Sequence, residues 1–259
     1  MEKILSKDNN LIKETRKLKE KKYRIEKGLF LVEGFRFVEE AVKSSFIIKS
    51  IFIDEKALEK LSDYNIETER IHANIYIIPS QIFKTISTTE TPQGIIAVVE
   101  NKEFAVKNEK GFYIYADKVQ DPGNMGTIIR TAHASGALGV IYSQGTVDIY
   151  NEKTLRSTMG SIFRIPVILD KDMNKLKELK AQGFKLIVSS LDTNKNFFDV
   201  DLSQMSIIAV GNEGNGVSDE LYNLSDEKVK IPMPGGAESL NVAVAASIMA
   251  FEAVRQTFK

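Results

Sequence analysis

Apolar positions along this chain recur with two different periods, and the alternation of the two predicts an α/β protein. In the first hundred residues, Leu11, Ile12 and Leu18 share one face of a charged segment. That spacing predicts a helix over Asn10–Ile25. Gly28–Val32, Ile47–Ile53, Ile75–Ile78 and Gly94–Val99 are short apolar runs bounded by turn residues, the signature of strands. Between them lie helical patterns at Gly34–Lys43, with Phe35, Val38 and Val42 on one side, and shorter ones at Ala57–Leu61 and Gln81–Ile86. This is enough for a small α/β layer with its own core.

The pattern lapses over residues 101–110, which are polar and charged, and then restarts. Strands are predicted at Phe112–Tyr115, Val140–Tyr142, Pro166–Leu169, Phe184–Ser189, Ser206–Val210 and Val229–Ile231. Helices are predicted at Asn124–Ser135, Glu152–Met159, Met173–Gln182, around Leu221, and at Leu240–Phe258. Regular alternation of strand and helix argues for a mostly parallel sheet covered on both faces. The chain is therefore read as a first domain over 1–100, a linker over 101–110 and a larger α/β domain over 111–259.

Composition narrows the chemistry more than the fold. The 259 residues are 43% hydrophobic and 27% charged, as in ordinary soluble domains. With no cysteine there is no disulfide and no thiolate metal site, and a reducing compartment is compatible. His72 and His133 are the only imidazoles and show no ligand spacing, so no metal is expected. No apolar run reaches membrane-spanning length and the first residues carry no apolar secretion core, so the expected location is the cytoplasm. The formal net charge is zero, yet Lys17, Lys19, Lys21, Lys22, Arg24 and Lys27 crowd one short stretch around Tyr23. Such a cluster can neutralise phosphates, or it can be a solvated helix face.

Three segments carry candidate chemistry. The first, Asp117–Thr131, follows a strand; Pro122 and Gly123 shape a turn, and Asn124 is a plausible helix cap. Arg130 lies about 1.7 turns further along that helix. In the second, Ile207–Ser218, a strand runs into Gly211, Gly214 and Gly216 with Asn212 and Glu213 among them. The glycine order does not fit a dinucleotide fingerprint, and no Gly-Lys-Ser/Thr ending marks a phosphate loop. The third, Ile231–Ala246, packs two prolines and two glycines before Glu238, Ser239, Leu240 and Asn241, and then a run of small residues. It reads as a shaped loop between a strand and a tightly packed helix, with Ser239 a possible cap.

Taken together, these segments resemble the three motifs of the SpoU (TrmH) family of RNA ribose methyltransferases, within the SPOUT superfamily. Asn124, Gly126, Arg130 and Thr131 match Asn-x-Gly-x-x-x-Arg-Thr; Gly211, Glu213 and Gly216 match Gly-x-Glu-x-x-Gly. Ile231–Met233 and Ser239–Val242 match Ile-Pro-Met and Ser-Leu-Asn-Val. Residues 1 to about 100, chiefly Lys22–Ala41, resemble the RNA substrate-binding domain of ribosomal-RNA members, a small α/β fold like certain ribosomal proteins.

The resemblance implies a SPOUT α/β domain with a trefoil knot. It implies S-adenosylmethionine as methyl donor, a ribose 2′-hydroxyl of RNA as acceptor, and a homodimer. Ribosomal RNA is the expected substrate, with transfer RNA or a non-catalytic RNA-binding role as alternatives. By the same token Arg130 would act at the hydroxyl, as base or as electrostatic stabiliser. Asn124 would position Arg130 or the ribose, Glu213 would hold the loop or orient Asn124, and Ser239 and Asn241 would complete a polar wall. The donor would sit on Ser189, Leu191, Gly211, Asn212, Gly216, Ile231, Met233 and Leu240, largely through backbone groups. Lys17, Lys21, Lys22, Arg24, Arg156 and Arg164 would meet RNA.

Overall fold

The computed structural model describes residues 1–64, Ile66 and 72–257. The chain forms two compact units, one of Met1–Lys102 with Tyr150–Leu155, the other of Glu103–Ile149 with Arg156–Lys259.

In the first unit the sheet is built from β1 (Glu2–Lys3), β2 (Leu29–Glu33), β3 (Ile48–Asp54), β4 (Asn74–Ile78) and β5 (Ile95–Glu100). Their order is β1-β4-β3-β5-β2. β1, β4 and β3 run parallel, whereas β5 is antiparallel to both β3 and β2. Helices α1 (Asn10–Lys17), α2 (Lys21–Lys27), α3 (Phe35–Val42) and α4 (Ser80–Ile86) accompany it. The two-residue β1 has too little pattern to be read from sequence. Ala57–Leu61 lies within a 3-10 stretch, Glu55–Asp63.

The single helix expected over Asn10–Ile25 is instead two. The break has a visible cause: the Arg24 guanidinium donates to the carbonyls of Leu18 and Lys19 at 2.8 and 2.7 Å, closing the end of α1. Ile12 and Leu18 remain in the core beside Phe52, Phe83 and Ile86. Arg24 itself is buried, so the expectation that it meets RNA from the surface is corrected: its charge is spent on backbone carbonyls.

The second unit carries β6 (Phe112–Ala116), β7 (Gly139–Ser143), β8 (Val167–Asp170), β9 (Lys185–Ser189), β10 (Ser206–Val210) and β11 (Glu227–Val229). The strand order is β11-β9-β10-β6-β7-β8, and every neighbouring pair is parallel. β6 and β10 at the centre are buried at every residue, as expected where both faces are covered. The helices are α5 (Pro122–Ala134), α6 (Glu152–Thr158), α7 (Asn174–Ala181), α8 (Asp219–Leu224) and α9 (Val242–Thr257). Residue 258, at the expected end of the last helix, lies outside the described residues. α5 packs on α9, where Ala243, Ala246, Ala250 and Ala253 are buried and let the helices approach. Thr131 and Ser247 share a hydrogen bond across that contact, 2.9 Å between hydroxyl oxygens.

Residues 101–110 are better anchored than their polarity suggests. Phe104 and Val106 pack on the core of the second unit. Lys107 donates its N–H to the Tyr113 hydroxyl at 2.7 Å.

From β6 the chain winds outward through β7 to β8, then returns to the other side of β6 to build β9, β10 and β11. The connections therefore diverge between β6 and β10. Crevices at such a switch point, beyond the carboxyl ends of the strands, are where open parallel sheets bind ligands.

Candidate active site

All three motif segments leave the sheet at this carboxyl edge. The loop after β6 runs from Asp117 to Asp121, the glycine loop follows β10, and residues 230–241 follow β11. Motif helix α5 begins at Pro122, not Asn124. Its cap is Asp121, whose carboxylate accepts the Asn124 N–H at 2.8 Å. Proline suits this first position because its missing N–H would have had no partner. Asn124 is thereby released from capping.

The freed amide joins the other two motifs. Asn124 donates through Nδ2 to Glu213 Oε1 at 2.9 Å. Its Oδ1 accepts from Asn241 Nδ2 at 2.9 Å. Glu213 also accepts the backbone N–H groups of Gln120 and Asp121, both at 3.1 Å. One carboxylate therefore ties the glycine loop to the start of α5, and one amide ties both to α9. Asn241 caps α9, accepting from Ala243 N–H at 2.9 Å and Val244 N–H at 3.3 Å, so the cap is not Ser239. Ser239 stands exposed in the loop two residues earlier.

Partial burial pushes the Glu213 carboxyl up. Hydrogen bonds from Asn124 and from the backbone outweigh it, and the carboxyl lies below its ordinary range. A depressed carboxylate stabilises the fold above the unfolded-state value, about 4.3, and loses that contribution as pH falls through the folded-state value. Glu213→Gln is expected to lower unfolding stability at pH 7 by about 1 kcal/mol, a charge-assisted network discounted for its exposure. Chemical denaturation at several pH values checks this: the gap between wild type and variant should close toward pH 3. A gap that persists there would sink the assignment.

Arg130 lies six residues beyond Asn124, which at about 100° per residue puts it about 120° round the helix. The Asn124 side chain makes its hydrogen bonds to Glu213 and Asn241. Arg130 is exposed and has no hydrogen bond or ion pair among the described residues. A guanidinium fork with no internal partner is free to grip an incoming anion.

The glycine loop is held almost wholly by backbone. Asn212 and Gly216 exchange two backbone hydrogen bonds, at 2.7 and 2.9 Å. Asn212 Oδ1 accepts from the N–H groups of Gly214 and Asn215, and Nδ2 donates to the Lys118 carbonyl. The Asn212 side chain thus braces the loop. Gly216 sits at φ +69°, the left-handed region. A Cβ on Gly211 would lie 2.0 Å from the Gly216 carbonyl carbon, so the loop closes only over a residue without a side chain.

The residues expected to hold a methyl donor line the same edge. Ser189 ends β9 and Gly211 follows β10. Ile231 and Met233 follow β11, and Met233 closes a turn by accepting the Gly236 N–H at 3.1 Å. Leu191 and Leu240 flank these strand ends at 54% and 36% exposure. Apolar side chains left open beside a loop of bare backbone fit an adenosyl group, which needs an apolar slot and backbone hydrogen bonds.

Three residues that sequence reasoning passed over complete the framework. Asp117 is fully buried; it accepts from Ser143 Oγ and from Ser218 N–H, both at 2.7 Å, and so joins β7 to the end of the glycine loop. Gln120 donates to the carbonyls of Lys118 and Gly145. Asp121 is the cap already described. An acid directly after a buried strand was the available signal for Asp117. Of the expected RNA contacts, Lys17 lies over the Tyr23 ring, Lys21 and Lys22 are exposed on α2, and Arg156 and Arg164 are exposed in the second unit. Among the described residues no group of His, Asp or Glu is arranged to hold a metal ion, and no helix is long and apolar enough to cross a membrane.

Residues 111–251 match the SpoU rRNA Methylase family, and residues 9–97 match the MRM3-like substrate binding domain. The 23S rRNA (guanosine(2553)-2'-O)-methyltransferase RlmP of Bacillus subtilis (strain 168) is 39% identical over 97% of this chain and 98% of its own length. A 23S rRNA (uridine(2479)-2'-O)-methyltransferase of Streptomyces viridochromogenes is 32% identical over 90% of this chain and 85% of its own length. Among solved structures, an AdoMet-bound rRNA methyltransferase from Sinorhizobium meliloti superposes with a TM-score of 0.88 at 30% identity, covering 100% of this chain and 99% of that one. The motif geometry and these likenesses agree, and the chain belongs to the SpoU family of RNA methylases.

Proposed function

We propose that this protein transfers a methyl group from S-adenosylmethionine to a ribose 2′-hydroxyl of large-subunit ribosomal RNA. The observation that carries this reading is the Glu213–Asn124–Asn241 chain of hydrogen bonds at the switch point, with an unpartnered Arg130 side chain further along the same helix. Relatives that span the chain and are named for 23S rRNA favour that substrate over transfer RNA. The ribosomal substrate in turn favours work in the cytoplasm.

Ser189, Leu191, Gly211, Ile231, Met233 and Leu240 would hold the donor at the carboxyl edge of β9, β10 and β11. When bound, the donor supplies an electrophilic methyl on a sulfonium. That methyl would pass to the ribose O2′, whose proton would leave to solvent or to a neighbouring phosphate. The work proposed for Arg130, as a planar guanidinium cation, is to hold the charge developing on O2′ and the adjacent phosphate. Asn124 keeps one N–H and one lone pair for the ribose, because Glu213 and Asn241 take only one of each. Holding both reactants in line supplies much of the remaining rate.

Two further features belong to this reading. The return of the chain around β9–β11 is consistent with a trefoil knot, a rare exception among folds. On α9, Val244 and Phe251 are about half exposed at i and i+7 with Ile248 between them, an apolar stripe suited to a second copy of the chain. Sedimentation equilibrium should show a dimer that Phe251→Glu splits; a wild-type monomer would remove this part.

Incubating the purified protein with tritiated S-adenosylmethionine and unmethylated 23S transcript tests the function. Label should enter the transcript and map to one 2′-O-methyl site. Label entering only transfer RNA, or none entering any RNA, would overturn it.

A further inference from the structure

Within the first unit lies a cavity of about 380 Å³, toward the small end of the roughly 300–1,000 Å³ usual for ligand sites. Leu18 and Leu31, both in the core, give it an apolar wall. Tyr150 lines it as well, half-buried, and its ring stacks on the fully buried Phe30 with centroids 4.3 Å apart and 22° between the planes. That stack holds the tyrosine ring in place.

Charge in the cavity is balanced. Lys19 and Arg24 line it with Glu152, and Glu33 accepts from the lining hydroxyls of Ser87 and Thr88 at 2.7 Å each. Partial burial holds the Lys19 ammonium below its ordinary range, against the opposite pull of Glu33 and Glu152. Two cations against two carboxylates leave no net charge to draw in an anion. A neutral ligand with polar edges suits such a site.

Hydrogen-bonding capacity of both kinds is left over there. The Lys19 ammonium gives one of its three N–H groups to the Thr85 carbonyl, at 2.9 Å. Asn151 Oδ1 accepts the Lys153 N–H at 2.9 Å and caps the helix that starts at Glu152, while its Nδ2 has no partner among the described residues. Thr88 Oγ1 donates to Glu33 and keeps its lone pairs. Donors on Lys19 and Asn151 and an acceptor on Thr88, with an aromatic ring and an apolar wall, are what recognition of an unstacked nucleobase needs.

The same stretch of chain carries the basic cluster. Between Lys17 and Lys27 six basic residues stand against Glu20 and Glu26, and Leu18, Lys19 and Arg24 of that stretch line the cavity. Lys21 and Lys22 are exposed, and their side chains have no partner among the described residues. A basic segment of this kind can follow phosphates while a base turns inward. The unit is also the one that matches a substrate binding domain.

We infer that this cavity receives one unpaired base of the RNA substrate, stacked on Tyr150 and hydrogen-bonded by Lys19, Thr88 and Asn151. The inference rests on the RNA-methylating reading above, and its test separates the two. Charge-neutral variants of the whole chain leave phosphate contacts untouched. Asn151→Ser keeps a capping oxygen and removes the amide donor. Tyr150→Leu removes the ring, and Tyr150→Phe keeps it.

The measurements are binding of 23S transcript across a series of salt concentrations, binding of free nucleosides, and thermal midpoint. Transcript affinity should fall by about 5-fold in Asn151→Ser and about 10-fold in Tyr150→Leu, and hold in Tyr150→Phe. The slope of log K against log salt should stay at the wild-type value in all three, whereas a lost phosphate contact would lower it by about 0.7–0.9. The thermal midpoint of Asn151→Ser should hold. Wild-type affinity in both Asn151→Ser and Tyr150→Leu would overturn the inference. So would a lowered salt slope, a loss in Tyr150→Phe equal to that in Tyr150→Leu, or a fall in thermal midpoint that accounts for the loss in Asn151→Ser. Tight binding of a free nucleoside, weakened by these variants while transcript binding is not, would assign the cavity to a small ligand and likewise overturn it. If wild type binds transcript but methylates none, the functional reading falls while the affinities still decide the cavity.

Discussion

Arg130→Ala is expected to lower kcat/KM for 23S transcript by at least about 10²–10³-fold, the scale on which loss of one preorganised charge-stabilising donor is felt. S-adenosylmethionine affinity should be unchanged. The separation follows from position. The Arg130 side chain is exposed on α5 and makes no internal hydrogen bond or ion pair among the described residues. Its removal therefore leaves no buried group unpaired, and unfolding stability should move by no more than about 0.5 kcal/mol. Arg130→Lys should recover only part of the rate, because an ammonium keeps the charge but not the planar fork that spans two oxygens. Tritium transfer at saturating cofactor, with calorimetry for cofactor binding, checks both halves. Lost cofactor binding with normal turnover at saturation would refute the role given to Arg130.

Gly211→Ala is expected to abolish useful cofactor binding by a steric route. The added Cβ would lie 2.0 Å from the Gly216 carbonyl carbon, and 2.2 Å from both its oxygen and the Val217 nitrogen. Backbone atoms cannot swing aside as a flexible side chain would, and this loop is pinned by the Asn212–Gly216 pair and by the bond from Asn212 to Lys118. The strain should cost about 3 kcal/mol or more, the upper end of overpacking. If it falls on the cofactor-competent loop, affinity drops by about 100-fold or more. Gly216→Ala is the internal comparison. It meets nothing within 4 Å but sits at φ +69°, so only the left-handed penalty of about 1–2 kcal/mol applies. Calorimetric titration of both variants should rank Gly211→Ala as far the worse. Equal, near-normal affinities would show that the loop opens without consequence for the donor.

Much of this organisation was legible in residue pattern. The parallel sheet, the helices between its strands and the three loops at its edge follow from periodicity and from where Pro and Gly fall, because these are local constraints on backbone torsion and on which face is apolar. What stayed hidden was decided by contacts between residues far apart in sequence. The helix expected over Asn10–Ile25 breaks because Arg24 folds back onto Leu18 and Lys19. That same bond turns a member of an apparently uniform basic cluster into a buried structural residue. Asn124 looked like a cap until Asp121 was seen to occupy that place. The cap of α9 is likewise Asn241 rather than Ser239, since the helix starts at Val242.

The sequence by itself determined an α/β chain in two parts, its motif loops and the residue types its chemistry would need. Spacing of Gly, Pro and apolar side chains acts within a few residues and can be read directly. Only the tertiary structure decided how the polar groups are spent. Glu213 is tied to Gln120, Asp121 and Asn124, across some ninety residues of chain, and Asn124 to Asn241 across 117. Hydrogen-bonding capacity is finite, so each bond made inside the fold removes a group from the reaction. The Arg130 side chain, exposed on α5, is among the groups left over, and which groups are left over cannot be known until the chain has closed.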